Sequence, residues 1–369
     1  MKKPKIGITT GDINGIGLEV ILNTLRDSKI NNLCTPIIYG SAKTIAIYKK
    51  NAKIPDIKLR SVNNASDTNA KIINIMEVIN DSPRITLGEP SPEAGLYALQ
   101  SLKSAGKDLQ NNLIDAVVTA PVDKSTISQA IKTDFKGQTE FFESLANSSH
   151  HKKSLMFFIS EQLKLALVTN HTSINDISKK INTELIVSKA TILYESLKKD
   201  FWISAPKIAI LGLNPHSGDR GLLGKDEEMT IKPAIEELTK KGIIAHGPFP
   251  ADSFFARGLY RSFDATLAMY HDQGLIPFKL IADDEGVNFT AGLEFIRTSP
   301  THGVAYNIAG QGKADTTSFK QAIYAAIDIS RARTEYLELS KNPLPFNNSV
   351  HNILDDSNDE EDELTDETQ

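Results

Sequence analysis

Three times in this chain a short apolar run stops at a polar turn that holds one histidine. Leu163–Val168 ends in Thr169-Asn170-His171, and Lys207–Gly212 ends in Leu213-Asn214-Pro215-His216. Ala265–Met269 stops at Tyr270, followed by His271-Asp272-Gln273-Gly274. Runs this short and this apolar read as strands buried on both faces, the habit of parallel sheets covered by helices. Helical patterns lie between them, so the alternation predicts an α/β fold with the three turns at one edge of a mainly parallel sheet. Ligands of such sheets sit beyond the carboxyl ends of the strands. One histidine there commonly just satisfies a strand-end carbonyl. Three could give a divalent metal three neutral nitrogens and leave positions open for substrate. Gly274 reads as the point where the backbone turns.

Other segments share the pattern. Lys5–Thr10 breaks into Gly11-Asp12-Ile13-Asn14-Gly15-Ile16-Gly17 before a helical stretch. That spacing is neither a dinucleotide fingerprint nor a P-loop. It reads equally as a tight strand-to-helix turn or as anion binding at a helix N-terminus. Thr86–Ala94, rich in Gly and Pro, reads as a surface loop. The strand-like Ala116–Ala120 delivers Asp123 and Lys124 to a sheet edge, and Gly137-Gln138-Thr139-Glu140 opens a helix. Downstream, Lys279, Asn288 and Arg297 are the types a phosphate or carboxylate needs, Arg for forked geometry and Lys as a mobile charge. Taken singly, each also reads as an ordinary surface group. His302–Gly310 could wrap a nucleotide through its backbone or simply connect two elements.

A length of 369 residues suggests two domains or one large α/β unit. Residues 355–369 are dense in acid and hold no base; they read as a disordered, solubilising tail. Without them the net charge of −5 turns slightly basic. The lone Cys34 excludes a disulfide framework within the chain. The N-terminal residues lack the apolar core of a signal peptide, and no stretch has the length of a membrane span. A cytoplasmic location is expected. Nothing in the basic or aromatic pattern points to nucleic acid. His150 and His151 read as solvated, and His246 and His351 lack a strand-end setting.

Together these segments resemble the 4-hydroxythreonine-4-phosphate dehydrogenase family of pyridoxal phosphate biosynthesis. The resemblance runs through GDINGIG, TAPVDK, GQTE, GLNPHSG, GPFPAD, MYHDQG, VNFTAGLEFIRTS and HGVAYNIAGQGKAD, in order, to about residue 335. It implies two α/β/α domains related to isocitrate and isopropylmalate dehydrogenases, with the site in a cleft between them. Here they are 1–125 with 300–345, and 126–299. It also implies a homodimer with sites at the interface, metal ligands at His171, His216 and His271, and substrate contacts at Thr139, Lys279, Asn288 and Arg297. His302 and Asn307 fall on a loop similar to the adenosine-side cofactor loop of the isocitrate-type enzymes. The expected cofactors are NAD or NADP and one divalent metal (zinc, cobalt, manganese or magnesium). Asp272 or Lys124 is expected to serve as base. The expected substrate is a small phosphorylated amino acid, 4-phosphooxy-L-threonine. The alternatives are another phosphorylated four-carbon acid, such as threonate or erythronate 4-phosphate, or a phosphometabolite-binding protein without turnover.

Two departures from the family pattern stand out. Gln138 replaces a usual His and cannot carry a proton. Thr172-Ser173-Ile174 replaces a usual x-Pro-Leu after His171, which changes the surroundings of that ligand.

Overall fold

The computed structural model describes residues 3–79, 83–146 and 154–342; His150, His151, His351 and the acidic 355–369 segment lie outside the described residues. Met1–Arg333 form one compact unit and Thr334–Gln369 another. Among the described residues of the first, twelve strands form a single sheet: β1 (Lys5–Thr9), β2 (Thr35–Gly40), β3 (Leu59–Val62), β4 (Ile73–Glu77), β5 (Ala116–Thr119), β6 (Leu155–Ile159), β7 (Lys164–Leu167), β8 (Lys207–Leu211), β9 (Ile244–Phe249), β10 (Ala265–Ala268), β11 (Val287–Ala291) and β12 (Ile296–Pro300). Their order is β3-β4-β2-β1-β5-β12-β11-β6-β7-β10-β8-β9. A boundary between the two expected domains therefore passes through a hydrogen-bonded parallel pair, β5 with β12, where Arg297 lies opposite Val117.

The sheet is parallel towards both ends and antiparallel in the middle, at β12–β11, β11–β6 and β6–β7. The β6–β7 connection shows why. Ser160 and Leu163 exchange backbone and hydroxyl hydrogen bonds across a tight turn, which only antiparallel neighbours can use. Helices cover both faces. Along β2, Ile38 joins one apolar cluster while Ile37 and Tyr39 join another on the opposite side. That double burial is the reason the strand reads as a continuous apolar run rather than an alternating one.

Two local readings need correction. Part of the stretch read as loop is helix: Pro92–Gln110 begins with Ser91 accepting from the Ala94 amide and with Pro92 in the first turn, where its missing N–H costs nothing. Gly274 is not a turn residue either. His271–Ala282 is one helix, and a Cβ on Gly274 would lie 2.6 Å from Leu165 Cδ2 and 3.1 Å from the Ala268 Cβ. The glycine lets the helix lie close on the sheet. Cys34 is buried, and burial pushes its thiol up to about 12. In the second unit the described residues continue the helix Thr317–Ser340, with Leu337 and Leu339 exposed. Among the described residues no helix is long and apolar enough to cross a membrane.

Candidate active site

Strand order explains how distant segments meet. β7, β10 and β8 are neighbours and mutually parallel, so the turns carrying His171, His271 and His216 leave the same edge side by side. Side chains stitch the turns together. Thr169 Oγ1 donates to the Met269 carbonyl at 2.8 Å. Gln273 accepts from the Met269 amide at 2.7 Å and donates to the Gly212 carbonyl at 2.6 Å, joining the strand end before His271 to the one before His216.

The His171 and His271 rings face each other with centroids 5.8 Å apart, and both line a cavity of about 420 Å³. Burial, with Lys124 nearby adding to it, lowers the His171 pKa and so favours the neutral imidazole, the form that binds a metal. Asp272 Oδ1 sits 2.7 Å from His271 Nδ1. A carboxylate there fixes the ring and makes its far nitrogen a better ligand. Asp272 itself lines a second cavity, together with His216, Tyr270 and Ile276. Thus two imidazoles meet and the third stays apart. Among the described residues, no three of His, Cys, Asp and Glu are grouped to hold a metal.

His216 lies in an unusual turn. From His216 through Arg220 the backbone is left-handed, with φ of 52, 52, 79, 41 and 55°. Left-handed geometry costs a non-glycine residue about 1–2 kcal/mol, so such a run persists only where its surroundings impose it.

Arg297, on β12, also lines the first cavity and is 4 % exposed. Its guanidinium donates to Thr119 Oγ1 (2.8 and 3.1 Å), Thr290 Oγ1 (3.2 Å), Thr139 Oγ1 (3.4 Å) and Gln138 Oε1 (3.1 Å). All of these acceptors are neutral. Burial pushes the group down to about 10, against the pull of Glu140. Gln138, 3.0 Å from the Ala120 carbonyl through Nε2, is thereby held with its oxygen towards Arg297. Lys124, Lys279 and Asn288 line the same cavity. Seven expected residues therefore share it with the two imidazoles: Lys124, Gln138, Thr139, Lys279, Asn288, Arg297 and His302. His216, Asp272 and Asn307 do not line it.

His302 has an Nε2 that is buried without a partner. The loop that follows it is pinned at several points. The Val304 carbonyl accepts from Ile16, and Glu19 Oε2 and Oε1 accept from the Gly310 and Ala314 amides, each at 3.1 Å. Tyr306 Oη lies 2.8 Å from Asp12 Oδ2 and 3.3 Å from Asp123 Oδ2. Burial raises the Asp12 carboxyl above its ordinary range. Sequence reading missed Thr119, Thr290, Gln273, Glu19 and Tyr306. Gln273, Thr119, Thr290 and Tyr306 lay inside segments the sequence had singled out, but which side chains in them matter emerges only when folding brings the segments together; Glu19, within the first helix, carried no signal.

A family model described as pyridoxal phosphate biosynthetic protein PdxA matches residues 32–326. A 4-hydroxythreonine-4-phosphate dehydrogenase of Bacteroides thetaiotaomicron is 47% identical over 342 residues, 93% of each chain. A putative D-threonate 4-phosphate dehydrogenase of Oceanobacillus iheyensis is 35% identical over 335 residues, 89% of this chain and 98% of its own. The crystal structure of a 4-hydroxythreonine-4-phosphate dehydrogenase from Klebsiella pneumoniae superposes with a TM-score of 0.79 at 31% identity, covering 89% of this chain and 98% of its own. With a cavity that pairs imidazoles with a buried, unneutralised arginine, and with matches spanning nearly all the described residues, the chain belongs to the PdxA family of pyridoxal phosphate biosynthetic proteins.

Proposed function

We propose that this chain is a 4-hydroxythreonine-4-phosphate dehydrogenase. It oxidises the C3 hydroxyl of 4-phosphooxy-L-threonine with NAD or NADP to 2-amino-3-oxo-4-phosphooxybutanoate, which loses CO₂ to give 3-amino-2-oxopropyl phosphate. The observation that carries this reading is Arg297. A buried guanidinium surrounded only by neutral acceptors is costly until an anion arrives, and a phosphate is the dianion best suited to it. Lys279, Asn288 and Thr139 complete the grip.

His171 and His271 fit a divalent metal (zinc, cobalt, manganese or magnesium) by donor type, and the chemistry such an ion supplies is Lewis-acid polarisation of the hydroxyl. His216 completes the set from a second copy of the chain, which makes the working unit a homodimer with its sites at the interface. The bare Ile276 and Leu280, 60 % and 80 % exposed near His216, support that pairing. NAD or NADP supplies the hydride acceptor. His302 and Asn307, on the pinned loop, are the residues assigned to hold it. Lys124, inside the cavity, and Asp272, beside His271, are the two residues assigned to the base that takes the hydroxyl proton, and Asp272 also orients His271. The division into 1–125 with 300–345 and 126–299 and a cytoplasmic location belong to the same reading.

Gln138 favours one rival. At a position facing the anion-binding arginine, an uncharged amide alters substrate fit, so D-threonate 4-phosphate is the second reading. Purified protein given NAD or NADP and divalent metal, with each phosphorylated acid in turn, separates them by reduced nicotinamide formed. Turnover on 4-phosphooxy-L-threonine is expected. Turnover on threonate phosphate alone selects the rival, and none on any phosphorylated acid removes both.

A further inference from the structure

The left-handed turn that carries His216 is held by one buried carboxylate. Glu227 is 1 % exposed. Its Oε1 accepts from the backbone amides of Leu213 at 2.8 Å and Asn214 at 2.7 Å, and its Oε2 accepts from Asn214 Nδ2 at 3.0 Å. Asn214 Nδ2 also donates to Asp226 Oδ2 at 2.9 Å. Glu227 opens a π-helical turn, Glu227–Ile231, a wide geometry often found beside functional sites.

Glycines around the turn leave no slack. A Cβ on Gly218 would meet Glu227 Oε2 at 2.5 Å, and one on Gly224 would meet Asn214 Nδ2 at 2.3 Å. One on Gly212 would meet Ser217 Oγ at 2.7 Å. Four non-glycine residues with positive φ in succession around Gly218 are disfavoured on their own. The three hydrogen bonds to Glu227 reach the two residues that lead into the turn and so set its entry angle. The hydrogen bond from Gln273 to the Gly212 carbonyl anchors the strand just before them.

We propose that Glu227 is the positioning residue for the His216 imidazole: it fixes the strained turn, and through it the place where His216 meets the metal. This rests on the reading of His216 as a ligand. Glu227 touches neither substrate nor metal in this role.

The test is titration of metal-stripped protein with Co²⁺ by calorimetry, comparing wild type, Glu227→Gln, His216→Ala and the double variant. In Glu227→Gln an NH₂ replaces Oε2 and faces the Asn214 NH₂ donor to donor, while side-chain volume is kept. The expected result is a Co²⁺ affinity weakened by roughly 10- to 100-fold in each single variant, with no further loss in the double. Hydrogen exchange at the Leu213 and Asn214 amides should accelerate in Glu227→Gln while the melting temperature stays near wild type. Wild-type affinity in Glu227→Gln alongside weak binding in His216→Ala overturns the proposal and leaves the ligand reading standing. Wild-type affinity in His216→Ala removes the ligand reading, and the proposal with it. Should Glu227→Gln not fold, Asn214→Ser removes the contacts of Asn214 Nδ2 to Glu227 Oε2 and Asp226 Oδ2, and Asp226→Asn serves as its control for the second of them; unchanged Co²⁺ affinity in Asn214→Ser is equally fatal.

Discussion

Arg297 sets the terms of the site. It is buried as deeply as the apolar core around it, yet its acceptors are three threonine hydroxyls and one amide oxygen. Removing the charge should affect binding and stability in opposite directions. Arg297→Met is expected to raise KM for the phosphorylated substrate at least ~30-fold, the effect of losing about 2 kcal/mol or more of charge-assisted contact. Its melting temperature should not fall, because an unpaired buried charge has left. Steady-state kinetics and a thermal melt on one preparation check both signs. His302 gives a pH effect of defined sign. Burial lowers its pKa, opposed by the Gly303 carbonyl and two distant acids. As pH drops below about 6.5 the unfolded chain takes up the proton first, so stability contributed by neutral His302 is full above that pH and declines below it. His302→Gln should therefore lose less melting temperature than wild type between about pH 7.5 and 5.5. His171, shifted the same way, leaves part of the slope in place.

At the level of elements, the decisive contact is helix His271–Ala282 lying on β7 and β10. Gly→Ala in a helix interior ordinarily gains about 1 kcal/mol. At Gly274 the new methyl meets Leu165, Leu167 and Ala268 at 2.6 to 3.1 Å, and overpacking of this kind costs about 1–3 kcal/mol. Gly274→Ala is expected to lower stability and, because His271 opens this helix, to weaken metal binding; a denaturant titration and a Co²⁺ titration measure the two. The strands of this region were legible from the sequence because burial on both faces makes them uninterrupted apolar runs. The turns were legible because a polar group at a strand end has few other reasons to recur. Gly274 was misread because a glycine needed for close approach looks, in sequence, the same as one needed for a bend. The left-handed run at His216–Arg220 was not read: His, Gly and Asp tolerate positive φ singly, but nothing in the sequence marks five such residues in succession, and the carboxylate that holds the entry to the turn, Glu227, lies beyond it in the chain.

At the scale of the whole molecule, the resemblance to a family anticipated the fold, and nine residues named from the sequence line the cavity, but spacing alone could not tell whether three histidines meet in one chain. His216 opens on a cavity beside the exposed Ile276 and Leu280. On the proposal that a second copy covers this face, replacing Ile276 and Leu280 together by Glu should give a monomer by sedimentation, with a normal far-ultraviolet spectrum and Co²⁺ affinity reduced at least tenfold. A dimer that persists, or a monomer that still binds metal tightly, refutes it.

The continuous sheet has a mechanical consequence. The cavity lies over its midline, with Thr119 on β5, Arg297 on β12 and Asn288 on β11 reaching into it from three consecutive strands. No flexible linker separates the two walls at that point; a ladder of hydrogen bonds does. Hydrogen-bonded neighbours in a sheet are rotated against each other by about 10 to 35°, so twist can differ from pair to pair while the ladder stays intact. The walls can thus approach a substrate as a wrung cloth tightens, by small rotations shared among many strands, and a substitution on a remote strand can stiffen or loosen the grip without touching anything in the cavity.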